Sequence, residues 1–189
     1  MMNIILIEKT MWFATLLYWV IASFSVKKTV KKQSGWERIL YILCVLLAFG
    51  LLFNDISSIP VLNRQLLPQN DLWKISGMIF CAVGLIFSIV ARIWLGENWS
   101  GRITIKENHE LIQSGPYSVT RNPIYTGFLL AFVGSSMSLG LLKGYLGIFF
   151  LVVCILIKIS KEEAFMQEVF GEKYRSYKAK VKRLVPLLY

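Results

Sequence analysis

Residues 122–157 read NPIYTGFLLAFVGSSMSLGLLKGYLGIFFLVVCILI, an apolar stretch interrupted by a single charge, Lys143. It exceeds the roughly 20 residues that cross a bilayer once as a helix, and it falls slightly short of two full crossings. A compact helical hairpin resolves that length. Its turn is marked by Gly140 and by Lys143-Gly144, since glycine tolerates the backbone angles a reversal needs. The start of the first arm is equally local: Asn122 suits an N-cap and Pro123 the first helical position.

Upstream, uncharged runs at 10–26, 39–54 and 75–91 each lie near the lower limit of about 17 residues for a spanning helix. With hairpin arms at about 123–139 and 144–160, five spans are expected. Of the 189 residues 56% are apolar and the mean hydropathy is +0.57, too hydrophobic for an ordinary soluble domain, while the length suits one membrane bundle. The expected fold is all-α: a polytopic integral membrane protein, one membrane domain over 1–189. The N-terminus has no basic n-region or small-residue cleavage site, so the first block reads as a retained span. The loop at 55–71 mixes Pro60 and Pro68 with Ile56, Ile59, Val61, Leu62, Leu66 and Leu67 and is expected to lie in the membrane interface.

Lys and Arg divide by side. The loop after the first span, the segment after the third and the tail carry seventeen of the 21; Lys9, Arg64, Lys74 and Lys143 are the other four. Basic loops stay in the cytoplasm, so the segment 97–122 and the tail 161–189 should face it and the N-terminus should lie outside. The net charge of +10 sits in juxtamembrane clusters suited to anionic membrane lipids, without the aromatic interleaving of a nucleic-acid surface. Cys44, Cys81 and Cys154 fall one per apolar block, with no spacing for zinc or a redox pair, and one histidine offers no metal cluster.

The segment 97–122 is too polar for hydrocarbon and reads as the site. His109, the chain's only histidine, stands in it; Ser114-Gly115-Pro116 is turn chemistry. The helix beginning at Pro123 points free N–H groups and partial positive charge toward it, with Arg121 alongside, which favours an anion. The tail places Phe165, Met166, Val169, Phe170, Tyr174, Tyr177 and Val181 at helical spacing, an amphipathic surface helix with a break at Gly171. Lys158, Glu162 and Glu163 continue from the fifth span toward the same segment.

Three clusters together resemble the isoprenylcysteine carboxyl methyltransferases, a family in a wider group with phospholipid N-methyltransferases and some sterol reductases. They are His109 with Leu111-Ile112 and Gly115-Pro116-Tyr117; Arg121-Asn122-Pro123-Ile124-Tyr125-Thr126-Gly127; and Glu162-Glu163 with Phe170-Gly171, Tyr174, Tyr177 and Pro186. The resemblance covers roughly the C-terminal half. Asn122 stands where the family pattern usually has histidine, which preserves a hydrogen bond but no titrating role. Lys158 stands where it has arginine, and lysine lacks the planar fork.

The resemblance implies S-adenosyl-L-methionine as cofactor, with S-adenosyl-L-homocysteine as product. It implies a cofactor site made by His109, Glu110, Leu111, Ile112, Tyr117, Asn122, Pro123, Ile124, Tyr125 and Glu162, with Glu162 on the ribose hydroxyls or the ammonium. Arg121 and Lys158 are the catalytic candidates, Arg121 orienting either the acceptor carboxylate or the cofactor. Taken singly, Tyr117 and Tyr125 also read as interfacial belt residues and Glu162-Glu163 as charged flanks. The implied reaction is methyl-esterification of a lipid-like or lipidated-cysteine acid by in-line transfer. The alternatives are methylation of a phospholipid amine, a nicotinamide-dependent sterol-type reductase and a non-catalytic membrane scaffold.

Overall fold

The structure, a computed structural model, describes residues 3–24, 29–32, 36–99, 104–106 and 110–186, with backbone alone for 29–32, 36–38 and 104–106. In chain order the elements are helix α1 (Ile4–Ala22), strand β1 (Thr29–Lys32), α2 (Trp36–Phe53), α3 (Asp71–Leu95), strand β2 (Thr104–Lys106), α4 (Pro116–Val119), α5 (Pro123–Leu139), α6 (Leu142–Phe170) and α7 (Glu172–Lys180). Short 3₁₀ turns lie at Pro60–Asn63 and Gly96–Asn98. The protein is an all-α integral membrane protein. The helices Ile4–Ala22, Asp71–Asn98 and Leu142–Phe170 are long and apolar enough to cross a membrane, while Ile39–Phe53 and Pro123–Leu139 are shorter apolar helices. One antiparallel ribbon, β1 with β2, ties the α1–α2 and α3–α4 connections together.

The closest helix pair is α3 with α5, and small residues make it possible. A Cβ on Gly84 would stand 2.5 Å from the Gly127 carbonyl oxygen, and one on Gly127 would stand 2.5 Å from that of Gly84. Seven residues along, Gly77 and Gly134 meet in the same way. In lipid there is little hydrophobic drive between helices, so association relies on such backbone approach. Around this pair, α1 packs on α3 and α5, and α2 packs on α6.

Charges that mark boundaries in the sequence are partly inside the bundle. Asn3 caps α1 by accepting from Leu6 N at 3.2 Å, so α1 starts well before residue 10 and takes Glu8 and Lys9 into the helix. Glu8 is buried and accepts from Ser138 Oγ of α5 at 2.6 Å. Lys143 belongs to α6 and donates from Nζ to the Asn54 carbonyl at 2.7 Å. A cation there satisfies the carbonyl end of α2.

The hairpin turn is narrower than expected. Gly140 alone is left-handed (φ 66°) and α6 begins at Leu142. The 55–71 loop is sewn onto it: Leu66 N donates to Gly140 O at 2.8 Å, Leu142 N to Arg64 O at 2.9 Å and Gln69 Nε2 to Leu139 O at 2.8 Å.

At the other end of the bundle, Arg92 of α3 donates from Nη2 to the Ala22 carbonyl at 2.7 Å and from Nη1 to Gly96 O at 2.8 Å. It thereby fixes the end of α1 beside the turn at 96–98. That end also holds the ribbon, α4, the start of α5, the end of α6 and α7.

Candidate functional site

The chain from Glu110 to Gln113 runs outside helix and strand, so its peptide groups are not used up in secondary structure. It then turns at Gly115 (φ 58°) into α4. Trp94 of α3 clamps this turn, its Nε1 donating to Ser114 Oγ at 3.1 Å while its ring lies where a Cβ on Gly115 would go. A side chain at 115 would face both backbone strain and the indole.

Pro123 opens α5, but Asn122 makes no side-chain cap. Its amide reaches across instead, Nδ2 donating to Glu163 Oε1 at 3.2 Å and to Arg183 O at 3.0 Å. Glu163 is the hub. Arg121 forks onto it, Nε to Oε1 at 2.9 Å and Nη2 to Oε2 at 3.1 Å, and Arg183 adds Nε and Nη2 to Oε2 at 3.1 and 3.0 Å. Arg121 Nη1 also donates to Val181 O. A buried carboxylate needs such partners to remain charged.

The tail after α7 is a strap on the start of α5. Arg121 N donates to Lys182 O at 2.9 Å, Thr120 Oγ1 to Arg183 O at 3.0 Å and Thr126 Oγ1 to Leu184 O at 2.6 Å. Leu184 is buried in the core. From α7, Tyr177 OH donates to the Tyr117 carbonyl at 2.6 Å, and Tyr174 packs edge-on against Tyr177. Burial pushes the phenols of Tyr117, Tyr174 and Tyr177 above the ordinary tyrosine range. They stay neutral near pH 7.

A cavity of about 610 Å³ lies within the range of small-molecule sites and joins these parts. Glu110, Leu111, Ile112, Tyr117, Arg121, Asn122, Pro123, Ile124, Tyr125, Lys158 and Glu162 all line it. His109 lies outside the described residues.

Within the cavity wall, Tyr125 OH donates to the Glu162 carboxylate at 3.1 and 3.0 Å, and Lys158 Nζ stands 3.7 Å from Glu162 Oε1. The Lys158 ammonium also lies over the ring of Tyr41, 4.3 Å from its centroid, and 5.5 Å from that of Tyr125, where ring faces favour a cation. Lys158 thus presents its charge at the cavity, whereas Arg121 spends its fork on Glu163.

Sequence reasoning missed Tyr41, Asn98 and Trp99, and it named Glu163 without its role as hub. Asn98 lines the cavity, and its Oδ1 is buried with no hydrogen-bond partner among the described residues. Trp99 carries Arg92 on its face, 4.5 Å from centroid to guanidinium. Glu163 was visible only as the neighbour of Glu162. The first three come from α2 and from the turn that follows α3, where no motif spacing points.

Away from this polar mouth the cavity is apolar and aromatic. Trp12, Leu16, Trp19 and Val20 of α1 face Tyr41, Ile42, Val45 and Phe49 of α2 across it.

A sequence model described as phospholipid methyltransferase matches residues 72–173. The protein-S-isoprenylcysteine O-methyltransferase of Schizosaccharomyces pombe is 31% identical over 122 residues, covering 62% of this chain and 51% of the relative. Protein-S-isoprenylcysteine O-methyltransferase A of Arabidopsis thaliana is 30% identical over 155 residues, covering 78% of this chain and 74% of the relative. The chain therefore spans about half the length of the yeast relative. A solved structure of a eukaryotic intramembrane Ras methyltransferase, an isoprenylcysteine carboxyl methyltransferase, aligns with a TM-score of 0.58 at 20% identity, covering 79% of this chain and 53% of that one. At that identity the likeness concerns the fold.

Proposed function

The chain belongs to the isoprenylcysteine carboxyl methyltransferase family, and from this premise we propose that it methyl-esterifies the carboxylate of a prenylcysteine-like amphiphile. The methyl donor is S-adenosyl-L-methionine, which when bound supplies a methyl group on a positive sulfonium. One observation carries the reading: a single cavity has a charged mouth built from both halves of the motif and an aromatic interior built from α1, α2, α5 and α6. A polar cofactor and an apolar tail need such a pair of surroundings side by side.

The mouth suits the cofactor's groups. Glu162, held by Tyr125, is an acceptor for ribose hydroxyls or an ammonium. The Asn98 oxygen, without a partner among the described residues, is an acceptor for an amine, and the backbone at 110–112 offers further donors and acceptors. His109 belongs to the same proposed set.

For the acceptor, Lys158 supplies the cation that attracts a carboxylate. An α-carboxyl with a pKa of about 3.5 is already ionised near neutral pH, so no general base is needed. What the chain contributes is alignment and exclusion of water from the reacting charges. Arg121 acts as a positioning residue, holding α5 against α6 through Glu163. The division of basic residues supports five spans with the outer N-terminus opposite a cytoplasmic site.

Tritiated S-adenosylmethionine and an S-prenylated thioether acid, incubated with detergent-purified protein, should yield a base-labile methyl ester. A base-stable N-methyl product from a lipid amine, with the acid inert, would overturn the reading. Binding of S-adenosylhomocysteine but not NADPH separates it from a reductase.

A further inference from the structure

The cavity has a floor as well as a mouth. Its lining goes no deeper than Trp12 on α1, Phe49 on α2, Phe132 on α5 and Leu151 on α6. Trp12, Phe132 and Leu151 are at most 3% exposed. Nearer the mouth, Leu16, Val20, Ile42 and Leu46 are 41% exposed or more, so the upper wall is open where the bottom is closed.

The Trp12 ring is boxed, edge-on to Phe49 at 4.9 Å and to Phe132 at 5.2 Å and parallel to Phe128 at 6.0 Å. Its Nε1 donates to Ser135 Oγ of α5 at 3.1 Å. One turn earlier on α1, Glu8 accepts from Ser138 of the same helix. Two successive turns of α1 are thereby pinned to α5, which fixes where the indole sits. The buried carboxyl of Glu8, which the chemistry at the mouth does not use, has a place in this lock.

From Lys158 to Leu151 is seven residues of α6, a depth of about 10 Å at 1.5 Å per residue. An extended carbon chain with bonds of about 1.5 Å advances roughly 1.25 Å per bond, so the shaft takes about eight carbons in line. That is the main chain of two prenyl units. We propose that Trp12 is a specificity-determining residue that gauges tail length: a two-unit tail fills the shaft and a third unit meets the indole. This rests on the cavity being the acceptor site of the methyl transfer proposed above.

The test uses full-length protein in detergent and S-prenyl thioether acids with ten-, fifteen- and twenty-carbon tails. Equilibrium binding of the labelled acids is measured alongside kcat/KM for their methylation. The wild type should favour the ten-carbon acid over the twenty-carbon one by roughly tenfold or more, the scale on which a pocket rejects groups it cannot hold. Trp12→Ala should move the optimum to longer tails in both readouts. Ser135→Ala and Trp12→Phe should move it part of the way. Retained S-adenosylhomocysteine affinity identifies the variants that are folded.

An unchanged order of tail preference in folded Trp12→Ala overturns the gauge. If that variant does not fold, an unchanged order in both Ser135→Ala and Trp12→Phe does the same. A shift in binding order without methylation of any acid by the wild type upholds the gauge and removes the esterification instead.

Discussion

Arg121 and Glu163 meet as a two-pronged pair, Nε to Oε1 at 2.9 Å and Nη2 to Oε2 at 3.1 Å, and their side chains are only 7% and 4% exposed. The pair joins the start of α5 to α6 beside the cavity mouth. Breaking a buried pair by removing one partner costs about 3–5 kcal/mol, because the other charge is left uncompensated. Glu163→Ala removes the carboxylate that Arg121 and Arg183 share and should lower the thermal midpoint in detergent sharply. Arg121→Lys keeps the charge but loses the fork, so it should fall between wild type and Arg121→Ala. A Glu163→Ala protein as stable as wild type would show that the hub is not holding the mouth together.

Glu162 should behave differently from its neighbour. It accepts from Tyr125 and faces Lys158 across the cavity wall, so its loss removes a proposed ligand group rather than a brace. Hydrogen bonds to charged groups contribute about 1.5–3 kcal/mol, which puts Glu162→Ala at roughly 10- to 150-fold weaker S-adenosylhomocysteine binding with folding retained. Calorimetric titration reads this directly. Lys158→Ala should leave that affinity nearly intact and raise KM for the acceptor acid. Equal effects of the two substitutions on cofactor-product binding would merge the roles assigned to them.

The glycine contact between α3 and α5 gives a stability prediction independent of chemistry. A side chain at Gly84 or Gly127 must push two helix backbones apart. Overpacking costs typically 1–3 kcal/mol and occasionally more. Gly84→Val and Gly127→Val should each destabilise by at least that amount, while Gly50→Ala, whose added Cβ would find its nearest contact 3.7 Å away at Asn54, should change little. Melting curves that rank Gly50→Ala with the other two would remove the close approach.

The raised phenols of Tyr117, Tyr174 and Tyr177 predict an alkaline weakness. In the unfolded chain these groups ionise near the ordinary value of about 10; in the folded protein they keep their protons to higher pH. Below about pH 9 both states are protonated and stability is unaffected. Above about pH 10 the unfolded state loses protons first, so stability falls as pH rises. Melting measured from about pH 7 to about pH 11 should show a plateau and then a decline. Tyr174→Phe should make the decline shallower, and an unaltered slope in that variant would contradict the assignment.

What could be read in the sequence was local. Gly115, Pro123, Gly140 and Gly171 announce turns and helix ends by their own backbone preferences, and all four mark such boundaries in the structure. The cofactor-site candidates from Glu110 to Tyr125 and Glu162 line one cavity because motif spacing records a fold that many sequences share. What escaped notice depends on partners distant in the chain. Asn122 looks like a cap until Glu163 and Arg183 are beside it, and Arg121 looks like a free cation until the same carboxylate arrives. Lys143 looks like a turn and the first span reads as starting only at residue 10, past Glu8, because a charge beside an apolar run is read by its own solvation. Ser138 and the Asn54 carbonyl, which reverse that reading, lie on other helices.

The strap at 181–184 has a consequence for biogenesis. Thr120, Arg121, Asn122 and Thr126 find their partners in carbonyls of Val181, Lys182, Arg183 and Leu184, which are synthesised after every long helix of the bundle. A nascent chain that has inserted α1 to α6 therefore lacks the groups that hold its own mouth in shape. The long helices are therefore complete in the growing chain before residues 181–184 emerge to close the mouth.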